Sequence, residues 1–412
     1  MYDVYEIRKQ FPMLISNKTM QGKPLVYLDN ASTTLKPQCV IDAVNRYNSE
    51  MTANSHRGDY DLCYQMDMEV LKTRKAVANF VNSDVNEVVF TSGDTEALNL
   101  IAYGYVLKYF TNKDGILISE AEHASNVLPW FRISKLTGCK IYYIKPEHNR
   151  ITPSAVKETL EAHRDIKLVS IAHVGNVLGY RAEISKIADM CHEFGALIAV
   201  DGAQSVPHIK TDFKGWNIDF LTFSSHKMCG PTGIGALVGK HDLLESMDTF
   251  ITGGGMNVTF KSNGTCEPLE APAKFEAGTL NLAGIMGFRA AIEFLTSVGM
   301  DNIEEHEKEL HDYLVNKIKD CKDVIIYNID NEGGIFTFNR VGVFAQDEAT
   351  LLNSKGIAVR SGQHCAKMID SLIDTPATVR MSTYLYTTKE EIDVFADALI
   401  NGGDILDAYF ND

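Results

Sequence analysis

Six short apolar runs punctuate the middle of the chain, at residues 87–90, 115–118, 140–144, 167–171, 196–200 and 220–223. Continuous apolar runs of this length, rich in Val, Ile, Leu and Phe, predict strands buried on both faces. The longer segments between them, such as 184–194, carry apolar residues near 3.6 spacing and predict helices. Strands alternating with helices imply an α/β architecture, a mostly parallel sheet covered on both faces. Ligands then bind beyond the carboxyl ends of the strands. After about residue 285 the pattern changes. Segments 286–298 and 302–319 predict long helices, the second placed to connect two lobes. Runs at 324–327 and 335–338 predict strands of a smaller α+β region. There is no low-complexity segment and no internal repeat.

Composition narrows the class. At 412 residues the chain exceeds one small core, so two domains are expected. An apolar content of 45% and a charged content of 23% are those of a soluble globular enzyme. A net charge of −15, without any basic run, argues against nucleic-acid binding. No apolar stretch approaches the ~18–20 residues of a membrane span, and the first residues lack the layout of a secretion signal. The expected location is the cytoplasm. Eight scattered cysteines form no Cys-x-x-Cys pair, which speaks against a zinc ribbon and for mostly buried thiols.

Chemistry enters at two strand ends. The run ending at Val200 is followed by Asp201-Gly202-Ala203-Gln204, and the run ending at Phe223 by Ser224-Ser225-His226-Lys227. A lone lysine after a strand is ordinarily a solvated surface residue. Paired with a strand-ended aspartate it fits a pyridoxal phosphate (PLP) site. The amine holds the aldehyde as a Schiff base, and the carboxylate keeps the pyridine nitrogen protonated. Ser224 and His226 can donate to the phosphate.

Other positions fit around that pair. Ser92-Gly93-Asp94-Thr95-Glu96-Ala97 opens a helical run after a strand, where free N–H groups and a Thr95 hydroxyl suit a phosphate; plain helix capping by Ser92 or Asp94 is the competing reading. His123 can stack on a pyridine ring, against the alternative of a surface-loop histidine. Asn176 can reach a phenolic oxygen, although Asn in a turn before Gly is common without function. Cys365 lies in Arg360-Ser361-Gly362-Gln363-His364-Cys365, just after a predicted strand. Arg360 and His364 are placed to favour its thiolate. Arg380, fifteen residues on, offers a fork for a carboxylate. Taken singly, these two are a buried Cys and a surface Arg.

Together with Leu28-Asp29-Asn30-Ala31, Asn176-Val177-Leu178-Gly179 and Phe275-Glu276-Ala277-Gly278-Thr279, these motifs resemble the fold-type I, class V aminotransferase group, and within it the cysteine desulfurases of the Suf type (group II). The short Cys365-to-Arg380 spacing resembles group II rather than group I. The resemblance implies a large domain with a mostly parallel seven-stranded sheet plus a smaller α+β C-terminal domain. The expected organisation is an N-terminal segment, 1–24, packing with the small domain; a PLP-binding domain, 25–285; and a small domain, 286–412, carrying Cys365 and Arg380. It further implies pyridoxal 5'-phosphate as cofactor, L-cysteine as substrate, a homodimer, and an acceptor protein of the Suf type serving iron–sulfur cluster assembly or other sulfur trafficking.

The resemblance also assigns roles. Lys227 is the Schiff-base lysine and proton carrier, Asp201 pairs with the pyridinium, His123 stacks on the ring, and Asn176 contacts the phenolic oxygen. Thr95, Gln204, Ser224 and His226 surround the cofactor, with Thr279 reaching the phosphate of the neighbouring subunit. Arg380 binds the substrate carboxylate in a subsite with Ala31, Asn176 and Arg360, and Cys365 accepts sulfur as a persulfide. The chain departs from the family pattern at Asp94, Gly175, Gln363, the Lys-Met pair after Ala366, and the histidine-free stretch 342–347. A carboxylate at 94 is unfavourable beside a phosphate unless it turns away or caps the helix. A selenocysteine lyase, another class V aminotransferase or lyase with Cys365 incidental, and a catalytically silent scaffold remain open at this level.

Overall fold

The structure, a computed structural model, describes residues 2–55, 58–401 and 403; residues 402 and 404–412 of the expected small domain lie outside the described residues. All six apolar runs are strands of one sheet: β1 (Val88–Thr91), β2 (Gly115–Ser119), β3 (Lys140–Ile144), β4 (Ile166–Ala172), β5 (Leu197–Asp201) and β6 (Phe220–Ser224). A seventh, β7 (Gly235–Gly239), completes the order β1-β7-β6-β5-β4-β2-β3. β2 to β6 run parallel, and β7 is antiparallel to both β1 and β6. The glycine-bounded run of β7 did not stand out from the turns around it. Gly235 is needed there: a Cβ would lie 2.5 Å from the Phe223 carbonyl oxygen and 2.6 Å from the Cα of Gly93.

Helices cover both faces. On one, α1 (Gln38–Glu50) and α2 (Asp61–Val81) pack against α7 (Leu282–Val298), and the helices α5 (Pro153–Ala162) and α6 (Ile184–Glu193) extend the layer. On the other lie α3 (Asp94–Ile101), continued by a π-turn to Val106, and α4 (Leu128–Thr137). Both predicted long helices form, as α7 and α8 (Met300–Ile318). Ile303 of α8 belongs to the core under the sheet, and Leu310, Leu314 and Ile318 belong to a second core, so one helix joins the two. Among the described residues no single helix is long and apolar enough to cross a membrane.

The second core lies on an antiparallel sheet of β8 (Val324–Ile326), β9 (Ile335–Arg340), β10 (Arg360–Gly362) and β11 (Thr378–Ser382), ordered β8-β9-β11-β10. Helices α9 (Ala345–Ser354) and α10 (Lys389–Asn401) cover it. Residues 26–28, grouped above with the large domain, pack here instead. Val26–Tyr27 pairs in parallel with Ile357–Ala358, and Val26 and Leu28 are buried in this core. The N-terminal segment is tied to residues 386–391 by Arg8, which donates to the Tyr386 carbonyl at 2.6 Å and pairs with Glu391 at 2.8 Å. Of the cysteines, 63, 139, 191 and 229 are buried, whereas 39, 266 and 365 are exposed.

Candidate active site

The carboxyl ends of β5 and β6 open into a cavity of about 180 Å³. Ala31, Thr95, His123, Asn176, Asp201, Gln204, Ser224, His226, Lys227, Arg360 and Arg380 all line it. Residues separated by up to 349 positions in sequence are thus gathered at one point by the fold. Cys365 is exposed beside it, and Thr279 is exposed outside it.

At the floor, Asp201 ends β5 and accepts the Ala203 N–H at 2.9 Å. Lys227 sits in the 3-10 turn after β6. Burial pulls its amine below the usual lysine range, against the opposing charges of Asp201 and Asp94. That shift moves the amine toward the neutral, nucleophilic form. The geometry also explains Gly93: its φ of 150° is one that side-chain-bearing residues rarely adopt, and a Cβ would crowd Ser224 Oγ at 3.1 Å. α3 therefore starts close to β6, where the Asp94 N–H donates to Ser224 Oγ at 2.8 Å. Thr95 Oγ1 lies 2.7 Å from Ser125 Oγ. Gly93, not Asp94, is the cap residue, and Asp94 is buried at the wall of the cavity, 6% exposed.

His123 accepts the Ser125 N–H on Nδ1 at 3.1 Å, which leaves Nε2 to carry the proton of the neutral ring. Burial, then the cations Lys227, Arg360 and Arg380, lower its pKa to about 4. His226 is held down to about 4 for the same first reason. Asn176 Nδ2 donates to the His364 carbonyl at 2.8 Å and Gln204 Nε2 to the Ala31 carbonyl at 2.7 Å, leaving both amide oxygens buried and unpartnered. The His364 carbonyl takes one N–H of the Asn176 amide, and the second remains to donate.

The β10–β11 register sets Arg360 directly opposite Arg380. Both donate to Ser32 Oγ, at 3.2 and 3.0 Å. Arg380, 1% exposed, also donates to the Asn176 carbonyl at 2.7 Å and keeps its Nε unpartnered. Desolvation brings its pKa down to about 10, so it stays charged at neutral pH. Replacing Arg380 by Ala removes the charged fork. Hydrogen bonds to charged groups are worth about 1.5–3 kcal/mol, so kcat/KM should fall by ~10- to 150-fold while cofactor content holds. An unchanged kcat/KM in steady-state assays would remove Arg380 from substrate binding.

Arg360 Nη2 lies 3.2 Å from Cys365 Sγ. His364 does not act with it. Its ring is buried, bonded through Nε2 to Thr378 at 2.9 Å, and kept neutral by burial with a pKa of about 3. The backbone explains this: His364 and Cys365 adopt φ of 49° and 61°, which turns the imidazole inward and the thiol outward. Ser32 and Ser125 carry no signal in the sequence, since short polar side chains in loops have no periodic pattern.

The aminotransferase class-V family profile matches residues 26–395. The chain belongs to the class-V aminotransferase family. A probable cysteine desulfurase of Halalkalibacterium halodurans is 40% identical over 399 residues, covering 96% of this chain and 97% of the relative. A cysteine desulfurase of Haloferax volcanii is 39% identical, covering 96% of both chains. Among solved structures, the cysteine desulfurase CsdA of Escherichia coli, in its S-sulfonic acid form, superposes with a TM-score of 0.89 at 30% identity, covering 98% of each chain. The apo cysteine desulfurase of Thermococcus onnurineus NA1 gives 0.91 at 31%, covering 98% of this chain and 99% of the other. The pocket of this class-V chain fits pyridoxal phosphate. A helix N-terminus with two hydroxyls suits the phosphate, a buried carboxylate suits the pyridine nitrogen, and an amine of depressed pKa suits the aldehyde. The unpartnered Asn176 and Gln204 oxygens show polar capacity that no protein group satisfies.

Proposed function

We propose that this PLP-dependent enzyme is a cysteine desulfurase, which converts L-cysteine to L-alanine and takes the sulfur on Cys365. The observation that carries the reading is the exposed Cys365 thiol, 3.2 Å from the Arg360 guanidinium, on the rim of the Lys227 pocket. An enzyme of this family without a thiol there would transaminate or eliminate.

Arg380, with Asn176 and Ala31 beside it, takes the substrate carboxylate and points its sulfur toward Cys365. Lys227 Nζ holds the cofactor covalently and then carries the Cα proton. Asp201 holds a proton at the pyridine nitrogen, His123 flanks the ring, and Thr95, Gln204, Ser224 and His226 hold the cofactor's oxygens. Pyridoxal phosphate, when bound, supplies the electron sink for charge left on the substrate carbon. Cys365 Sγ then forms an S–S bond to the substrate sulfur as the substrate's Cβ–S bond breaks. Protons replace the lost sulfur at carbon, so one cysteine yields one alanine and one persulfide.

Finer parts of the reading rest on the same geometry. The loop bearing Cys365 is short and pinned: its carbonyl accepts the Ala124 N–H at 2.7 Å, and the His364 carbonyl accepts Asn176. A thiol so held cannot swing to a distant acceptor, which favours a Suf-type enzyme that an acceptor protein must approach. The exposed Thr279 fits a homodimer in which this residue reaches the neighbouring phosphate. Glu276 anchors that segment through Arg74, at 2.7 Å, and the Phe90 N–H, at 2.8 Å. Delivery to iron–sulfur cluster assembly in the cytoplasm completes the proposal. Stopped-flow measurement of alanine is expected to show a fast burst near one per subunit, then slow turnover that rises several-fold with an acceptor or dithiothreitol. Fast linear release without either would contradict the gating.

A further inference from the structure

The peptide bond leading into Lys227 is gripped from outside its own turn. In a 3-10 turn the His226 carbonyl would accept the N–H three residues on, that of Cys229. That N–H goes instead to Thr34 Oγ1 at 2.8 Å, and Cys229 leaves the turn with a φ of 63°. The freed His226 carbonyl meets residues 33–36, part of the link from the second core to α1. It accepts from the Thr34 N–H, Thr33 Oγ1 and Thr34 Oγ1, each at 3.1 Å, and from Lys36 Nζ at 3.0 Å. Lys36 Nζ also donates to the Thr34 carbonyl at 2.5 Å, so one amine ties the link to itself and to the turn. The link is anchored in its turn. The Leu35 N–H donates to Tyr386 Oη at 2.9 Å, and the Ala31 N–H to Ser382 Oγ at 2.8 Å.

We propose that Lys36 is a positioning residue for Lys227, holding the His226 carbonyl so that the next side chain enters the cofactor pocket. A peptide unit is planar, so fixing that oxygen also fixes the Lys227 N–H and the plane from which its side chain leaves. A carbonyl oxygen has two lone pairs for these four donors, and a charged donor makes the strongest bond. Burial lowers the Lys36 amine to about 8, which leaves it charged at neutral pH. Both of its hydrogen bonds go to carbonyls, and among the described residues no carboxylate pairs with it. Burying a cation without a carboxylate is a cost to the fold. An apolar side chain of the same length would fill the site without that cost, so packing does not explain the lysine. The proposal rests on Lys227 as the residue that joins the cofactor, and not on which amino acid is turned over.

The test compares Lys36→Met, which keeps the stem and removes the donor, with Lys36→Arg, which keeps a charged donor. The full-length apoproteins are mixed with pyridoxal phosphate at neutral pH. Borohydride-fixed cofactor is followed in time, and the visible circular dichroism of the bound cofactor is recorded. Lys36→Met should fix the cofactor at least about tenfold more slowly, the scale on which a misplaced reacting group loses rate, and should show an altered dichroism band. Its kcat with L-cysteine should fall while KM holds, because Arg380 and Ser32 are untouched. The thermal midpoint of its apoprotein should stay within about 3 °C of wild type, since three neutral donors still serve the His226 carbonyl. Lys36→Arg should recover most of the lost rate. A wild-type fixation rate and band in Lys36→Met, or no recovery in Lys36→Arg, would overturn the positioning role. A methionine variant that fails to fold, or melts well below wild type, would overturn it too, as the mark of a merely structural lysine. Wild-type holoenzyme that forms no alanine, with fixation behaving as expected, would instead count against the cysteine desulfurase reading.

Discussion

Lys227→Ala will yield a folded chain to which borohydride fixes no pyridoxal phosphate and from which no alanine forms. Lys227 lines the cavity between β6 and the start of α3, and burial lowers its amine's affinity for a proton. Its removal deletes the nucleophile that joins the cofactor and the base that moves the Cα proton, so activity should fall below detection. The fold should persist, because the amine supports no packing and its burial is itself a cost. Lys36 is the informative competitor. Its amine is also pushed down, to about 8, chiefly by burial, and donates to the His226 carbonyl at 3.0 Å. Peptide mapping after reduction decides between them: label on Lys36 or another lysine in the variant would contradict the assignment.

Cys365→Ala should separate cofactor chemistry from sulfur transfer. The variant should bind pyridoxal phosphate and L-cysteine yet lose persulfide and sulfide production entirely, since no other described thiol is placed beside Arg360. Cys365 is exposed, so its truncation opens no core cavity and should change stability by no more than about 0.5 kcal/mol. Turnover of selenocysteine could survive, its C–Se bond being weaker. Substantial desulfuration by the variant, measured as sulfide released with dithiothreitol, would remove Cys365 from the mechanism.

Legibility of the molecule followed the range of its forces. Lys227 and Asp201 could be found because each follows an apolar strand, and the parallel sheet delivers strand ends to one place. β7 was missed since its run is short, glycine-bounded and antiparallel, with no helix after it to complete the alternation. Val26 and Tyr27 are grouped by sequence with the nearer domain because only the fold reveals their pairing with Ile357 and Ala358. His364 was paired with Cys365 by proximity in sequence, but two successive left-handed residues turn neighbouring side chains apart. The placement of Asp94 depends on Ser224, 130 residues away, a contact no local pattern encodes.

The central claim is that sulfur passes from L-cysteine to one named thiol. Incubating the purified holoenzyme with L-cysteine, without reductant, and then measuring alanine together with the mass of every cysteine-bearing peptide tests it directly. The account predicts about one alanine per subunit and one added sulfur on the peptide containing Cys365. Alanine without added sulfur there, or sulfur on Cys39 or Cys266 instead, would contradict it.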